Sequence, residues 1–242
     1  MRQIWIIAKR ELRAFFDSLI AYIMIVLFLV FNGIFTWILG DSIFFLNQAS
    51  LQVFFGVSFW TLFFFIPALT MRLIAEENRS GTLELLLTKP VNDWQVVVGK
   101  FLSTLILIVI TLVLTLPYYI TIWKLGPVDH GAIWSGYLGL LLLSASYISI
   151  GIFASSISQN QIVSILTAYF IGIFFQMVFG MLASAVGGFM GTVFNYLSIQ
   201  NHFESISRGV IDSRDLIFFF SLIFVGLVAS EIAIAKRNIV DK

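Results

Sequence analysis

Six long apolar segments, a sparse supply of charge and a lopsided placement of lysine and arginine predict an all-α polytopic membrane protein, with six transmembrane helices and both the N and C termini cytoplasmic. Of 242 residues, 60% are hydrophobic and 11% charged, whereas soluble domains run at roughly half and a quarter. A water-soluble fold has no means of hiding that much apolar surface. One bilayer crossing takes about 20 apolar residues, so six crossings with short connections occupy almost the whole chain. The net charge of +1 leaves no basic footprint for nucleic acid. The lack of cysteine removes disulfides, thiolate metal sites and cysteine nucleophiles from consideration.

The chain opens with an amphipathic stretch. At about 100° per residue, Ile4, Trp5, Ala8, Leu12, Phe15 and Phe16 share one face, and Arg2, Lys9, Arg10, Arg13 and Asp17 the other. Residues 1–17 suit a helix lying in the membrane interface, with Ile6, Ile7 and Glu11 off the pattern. A plain basic juxtamembrane segment is the other reading, and both put this end in the cytoplasm. Spans follow at Leu19 to Leu39, Leu51 to Ile74, Val96 to Trp123, Ala132 to Ala154, Ile162 to Val186 and Leu216 to Ala235. The first follows basic residues as a signal peptide would, but it has no small-x-small cleavage site and reads as a retained helix. This arrangement puts eleven basic residues inside and three, Lys124, Arg208 and Arg214, outside, the bias expected of cytoplasmic loops.

Within the spans, Pro67 and Pro117 each predict a bend, as a hinge or as a bent packing element. Asn32 and Gln176 lie near the middles of spans one and five, where an amide suits hydrogen bonding between helices. The end of span five and the residues just after it carry small residues on two stripes: Gly180, Ser184 and Gly188 beside Ala183, Gly187 and Gly191. Such stripes allow close helix approach, within the chain or between chains.

The connection between spans two and three is the most informative stretch. Ser80-Gly81-Thr82 reads as a turn and helix start, with Thr82 as cap and Glu84 in the first turn. Pro90 ends that short helix. Asn92 then caps the next one, with Gln95 placed for a capping box. A helix carrying Leu83, Leu85, Leu86 and Leu87 between charged ends suits either docking into a groove on a soluble partner or resting on its own membrane domain.

Glu76, Gly81-Thr82, Leu85 to Leu87, Pro90 and Gly99-Lys100 together resemble the first cytoplasmic loop signature of ABC-2 type transporter permeases. The likeness continues through Asn195-Tyr196-Leu197-Ser198, His202-Phe203 and Gly209-Val210-Ile211-Asp212, ahead of the last span. Thr88 to Trp94 and Ser158-Gln159-Asn160-Gln161 look most like the gliding-motility-associated permeases of Bacteroidetes. The resemblance implies an ABC-2, type V exporter-like permease fold in the bacterial inner membrane, one domain over 1–242. Residues 1–17 would be its elbow helix, 76–95 a cytoplasmic loop with a coupling helix, and 187–214 an outer re-entrant or gating segment.

The resemblance further implies contact with an ABC ATPase subunit through Glu76, Glu77, Arg79, Gly81, Thr82, Leu83, Glu84, Leu86, Leu87 and Pro90. A second permease copy, identical or related, is expected, with Asn32, Gln176, Gly180, Ala183, Ser184 and Gly187 as the dimer or translocation interface, and an accessory membrane or periplasmic subunit is a further expected partner. ATP and Mg would be bound by the ATPase chain. No G-x-x-x-x-G-K-[ST] phosphate loop exists here, since Gly99-Lys100 lacks the upstream glycine and is followed by Phe101.

Outside that loop the sequence shows little chemistry. His130 and His202 are far apart and lack ligand-spaced neighbours, so no metal site is expected. Asp215 and Glu231 fall towards opposite ends of span six and read as reaching the membrane interface, Glu231 alternatively pairing with Lys236 or Arg237. No nucleophile with a base, and no facing carboxylate pair, marks an intramembrane enzyme. Two classes stay open: an exporter permease driven by a separate ATPase, and a membrane scaffold of an envelope machine without a cargo path.

Overall fold

In lipid, apolar runs of this length satisfy their backbone polar groups by coiling into helices, and the computed structural model is built of them. It describes residues 2–39, 50–81 and 92–240, with side chains to 236. The helices are α1 (Arg2–Asp17), α2 (Ile20–Trp37), α3 (Gln52–Thr70), α4 (Ala75–Ser80), α5 (Asp93–Val113), α6 (Leu116–Leu125), α7 (His130–Ser156) and α8 (Gln161–Ile173). A π-helical turn (Phe174–Val178) leads into α9 (Phe179–Ala185), followed by α10 (Gly188–Leu197), α11 (Ile199–Ser207) and α12 (Ser213–Val240). Among the described residues, six stretches are long and apolar enough to cross a membrane: Ile20–Trp37, Gln52–Ser80, Asp93–Leu125, His130–Ser156, Gln161–Ala185 and Ser213–Lys236. Each overlaps one predicted span.

The fourth stretch, α7, is the axis of the bundle. Of its most apolar window 83% is buried, against 22% for Ile20–Trp37 and for Gln161–Ala185, so the latter two lie at the periphery. Small residues let neighbours close on α7. A Cβ at Gly136 would stand 2.3 Å from the Phe55 ring, and one at Gly151 would stand 2.0 Å from Thr70 Oγ1, so both glycines admit α3. The serines of α7 are no burden in an apolar setting. Ser144 and Ser146 donate to the Leu140 and Leu142 carbonyls one turn back, at 2.7 and 3.0 Å.

The two prolines act differently. Pro117 would drive its ring into the carbonyl four residues back, and α5 ends at that residue, Val113. Tyr137 of α7 braces the break, its hydroxyl 3.0 Å from Thr115 Oγ1 and donating to the Thr115 carbonyl at 3.3 Å. Pro67 instead lies inside α3, which runs on to Thr70. There the chain turns through Met71–Ile74 before α4.

At the end of the fifth span the chain doubles back. Phe179 and Phe194 stack at 6.1 Å, and a Cβ at Gly191 would lie 2.1 Å from the Val186 carbonyl oxygen, which makes α9 and α10 an antiparallel hairpin. α11 then lies on α7, with Phe203 and Ile206 over Gly139.

The close packing at Gly136 is testable against Gly56, where an added Cβ meets nothing within 4 Å. Gly136→Ala is expected to lower stability by about 1–3 kcal/mol through overpacking. Gly56→Ala should be neutral or stabilise by about 0.5–1 kcal/mol. Thermal unfolding in detergent reads both, and equal shifts would contradict the packing described.

Candidate functional site

The connection that carries the loop signature leaves the bundle at α4, and three side chains fasten it there. Ser155, near the end of α7, accepts from the N–H groups of Ile74 and Ala75 at 3.0 and 2.9 Å and donates to the Met71 carbonyl at 3.1 Å. One hydroxyl thereby satisfies three backbone groups where the chain turns from α3 into α4. Asn78 Nδ2 reaches the Ser158 and Ser156 carbonyls at 3.2 and 3.4 Å, tying α4 to the end of the fourth span. Arg72, in the same turn, donates to Ser18 Oγ at 3.1 Å and lies 6.0 Å over the Phe15 ring.

Beneath this clamp sits a buried charge. The Lys100 side chain of α5 is 1% exposed. Its Nζ lies 2.9 Å from Glu77 Oε1 of α4 and 3.4 Å from Glu11 Oε1 of α1, and donates to the Leu73 carbonyl at 2.6 Å. Arg10 completes the knot, paired with Glu11 and 3.5 Å from Glu77. Two cations meet two carboxylates, so the group is neutral overall. An ammonium enclosed in this way is tolerated only if its donors are all answered. Burial alone would raise the Glu11 carboxyl, but the Lys100 charge and the Arg10 contact outweigh it and hold Glu11 below its ordinary 4.5.

Gly99 is the geometric condition for the knot. A Cβ there would stand 2.7 Å from Ile7 Cγ2 and 3.2 Å from the Ile4 carbonyl oxygen, so only glycine lets α1 lie this close to α5. Ile7 is accordingly buried, although it falls off the predicted apolar stripe, and Trp5 on that stripe is 59% exposed. α1 turns the arc through Ile7, Ala8, Glu11 and Phe15 to the protein, roughly a sixth of a turn from the face its hydropathy suggests.

Of the predicted coupling residues, Glu76, Glu77 and Arg79 lie on α4, and Gly81 ends it in the left-handed region at φ 68°. Thr82, Leu83, Glu84, Leu86, Leu87 and Pro90 lie outside the described residues, as does the short helix expected there. The chain resumes at Asn92 with the predicted capping box, Gln95 Oε1 accepting from the Asn92 N–H at 3.4 Å.

The residues expected between permease copies divide into two groups. Asn32 and Gln176 have no exposed surface and bond within the chain, Asn32 Oδ1 accepting from Ser58 Oγ at 2.8 Å and Gln176 Oε1 from the Tyr147 hydroxyl. They join helices of one chain. Gly180 is half-buried, a Cβ there standing 3.3 Å from Ser198 Oγ. Ala183 is also half-buried and its carbonyl faces Gly191, whereas Ser184 and Gly187 are exposed.

Sequence reasoning missed Glu11, Arg10, Asn78 and Ser155 as parts of this site. The one signal was Glu11 itself, a carboxylate breaking an apolar stripe. Asp215, in the first turn of α12, is 6% exposed and lies 2.6 Å from His202 Nδ1, a pairing that sequence reasoning did not foresee. No cluster of three or more metal-ligating side chains occurs among the described residues.

Among known proteins, the chain matches the family described as "ABC-2 family transporter protein" over residues 41–208. It is 31% identical over 146 residues to the probable multidrug ABC transporter permease YbhR of Escherichia coli (strain K12), and equally to that of Escherichia coli O157:H7. The match covers 57% of this chain and 37% of each relative, so the chain spans little more than a third of the length of the curated relatives it matches.

Two outcomes are expected of the knot. Lys100→Met leaves Glu11 and Glu77 without their shared cation and should destabilise the chain by about 3–5 kcal/mol, read by thermal unfolding; an unchanged midpoint would refute the buried pairing. Because the folded state holds Glu11 below its ordinary 4.5, its contribution is present above that value and is lost as pH falls through the lowered one. Hydrogen exchange in α1, corrected for intrinsic rates, should therefore stay slow from neutral pH down to 4.5 and quicken only below it.

Proposed function

Since this chain belongs to the ABC-2 family of transporter proteins, we propose that it is the multi-pass permease subunit of an ATP-binding cassette exporter in a bacterial inner membrane, driven by ATP hydrolysis on a separate ATPase chain. The observation that carries this reading is the anchorage of α4. A segment that leads into a docking loop is fastened through Glu77 to span three and the elbow helix α1, and through Ser155 and Asn78 to span four. Force on the loop then reaches three elements at once, where an unanchored connector would absorb it.

Within the reading, 1–242 forms one permease domain with both termini cytoplasmic. Residues 76–95 carry the coupling helix, with Thr82, Leu83, Glu84, Leu86, Leu87 and Pro90 alongside Glu76, Glu77, Arg79 and Gly81 as the ATPase contact. Residues 187–214 close the outer end of the pathway. The chain acts as a pair with itself or a related permease, Ser184 and Gly187 being the members of the expected contact set that stay exposed. The absence of native cysteine makes single introduced cysteines a clean test of the cytoplasmic placement.

Cargo divides two finer assignments. The relatives' name supports multidrug export, and the likeness at Thr88 to Trp94 and Ser158 to Gln161 supports a gliding-associated exporter, with an accessory envelope subunit. Drug hypersensitivity on deletion in the source organism favours the first, and loss of surface gliding the second.

Mild-detergent purification should retain an ATPase chain, and Leu86→Asp should release it by about tenfold or more, since a charge in an apolar docking contact is costly to desolvate. The purified chain alone should turn over no ATP. Retention of the ATPase by the Leu86→Asp chain would end the docking assignment.

A further inference from the structure

Far along the chain from the Lys100 knot, α11 holds a buried histidine that the proposed function does not use. His202 is 7% exposed and sits between the last turn of α10 and the first turn of α12. Its Nδ1 lies 2.6 Å from Asp215 Oδ1, and its Nε2 lies 2.8 Å from the Tyr196 carbonyl oxygen. Phe218 stacks on the ring at 4.2 Å, and Tyr196 meets it edge-on at 5.3 Å. Asp215 is 6% exposed, and its second oxygen, Oδ2, has no protein partner.

Hydrogen-bond chemistry limits what this pair contains. A backbone carbonyl only accepts, so Nε2 must carry a hydrogen. An ionised carboxylate also only accepts, so the Nδ1 to Oδ1 contact needs a proton between the two atoms. Neutral imidazole with an ionised carboxylate has one hydrogen too few for both contacts. The pair is therefore imidazolium with carboxylate or imidazole with carboxylic acid, and in either form it holds one additional proton and is neutral overall. Loss of that proton leaves a bare nitrogen lone pair facing an oxygen, in a place with little water to repair it.

We propose that His202 and Asp215 form a proton-binding latch that fastens α10 and α11 to the start of span six, closed with one proton bound and opened when it leaves.

The surroundings make the pair the hinge point. α11 stays seated on its other face through Phe203 stacked on Phe59 at 5.0 Å and through Gln52 Nε2, which donates to the Ser207 carbonyl at 2.8 Å. Opening would thus loosen the joints to α10 and α12 and leave α11 on the bundle. The other charged groups nearby are Asp212, which bonds the Arg214 N–H at 2.9 Å, Arg214 itself, and Glu204, paired with Arg208 at 3.1 Å on α11. From α10 the titratable neighbour is Tyr196. On α7, Tyr137 and Tyr147 are bonded to Thr115 and Gln176. α3 presents Phe59 and Gln52, which do not titrate. Alternation of six spans puts this segment on the opposite membrane face from the loop after span two, so the latch would sense the proton activity of the compartment that receives cargo. The geometry stands without the transport reading, and so does its test.

That test is hydrogen exchange on the full chain in lipid nanodiscs across pH, normalised to intrinsic rates. Protection in 188–198 and in the first turn of α12 should fall as pH rises, by up to about tenfold per pH unit, the limit for one linked proton. Asp215→Asn supplies an N–H to Nδ1 while Nε2 keeps its carbonyl, so it should be protected and flat with pH. His202→Phe loses both bonds but can keep the stack on Phe218, and should be flat and unprotected. Histidine nitrogen NMR on the unaltered chain gives a second reading, with the His202 ring changing state over the same pH range as the exchange. Wild-type protection independent of pH, an Asp215→Asn chain with the wild-type slope, or a His202 ring unchanged between about pH 5 and pH 8 would each overturn the latch.

Discussion

An ammonium group sealed inside an apolar bundle has to be answered by acceptors that arrive from somewhere, and Lys100 draws them from three places. Glu77 comes from the end of the second span, Glu11 from α1 and the Leu73 carbonyl from the turn between α3 and α4. Desolvating a cation costs several kcal/mol, so these acceptors cannot drift apart without exposing that cost. The arrangement of this end of the molecule follows from it. α1 must lie close, which requires glycine at 99, and α4 must turn back, which requires its freed amides to be met by Ser155.

The same rule, that a polar group in an apolar setting is either partnered or expensive, orders the rest of the bundle. Thr115 and Tyr137 bind each other where Pro117 interrupts the third span. Ser58 and Asn32 join α3 to α2, and Tyr147 and Gln176 join α7 to the π-helical turn. In lipid there is little hydrophobic force between helices, so these bonds and the close contacts at Gly136 and Gly151 hold the packing. These polar pairs inside the spans serve as joints within one chain. The exposed apolar faces of α2 and α8 are left for lipid or for another subunit.

The two ends of the bundle solve the charge problem differently, and that difference bears on function. The Lys100 knot is a four-member cluster of two basic and two acidic side chains drawn from three helices, so it is a fixed joint suited to passing force. The His202 and Asp215 pair is neutral through a single shared proton, and histidine is the side chain whose charge changes near physiological pH. A permanent joint at the loop-bearing end and a conditional one at the other would suit a machine driven from one face and released at the opposite one.

Much of this architecture was legible along the chain because its causes are local. Hydropathy summed over about 20 residues places a span, and six such sums found the six membrane-length stretches among the described residues. Asn92 with Gln95 as a capping box and Pro117 as a bend each rest on residues within four positions of one another. Asn32 and Gln176 were legible as amides suited to bonding between helices, but not which helices: Asn32 meets Ser58 and Gln176 meets Tyr147, both within this chain. Partner choice was a different matter. Glu11 meets Lys100 across 89 positions, and Ser155 meets Ala75 across 80. His202 finds Asp215 only 13 positions away, yet only after α11 has folded onto α7 and brought span six beside it. Ile7 is buried, against its place in the hydropathy pattern, since Gly99 opens a groove that no property of residues 2–17 announces. Helices form from neighbours in sequence, but a buried charge selects its partners through space once the helices have packed, and that selection made the site.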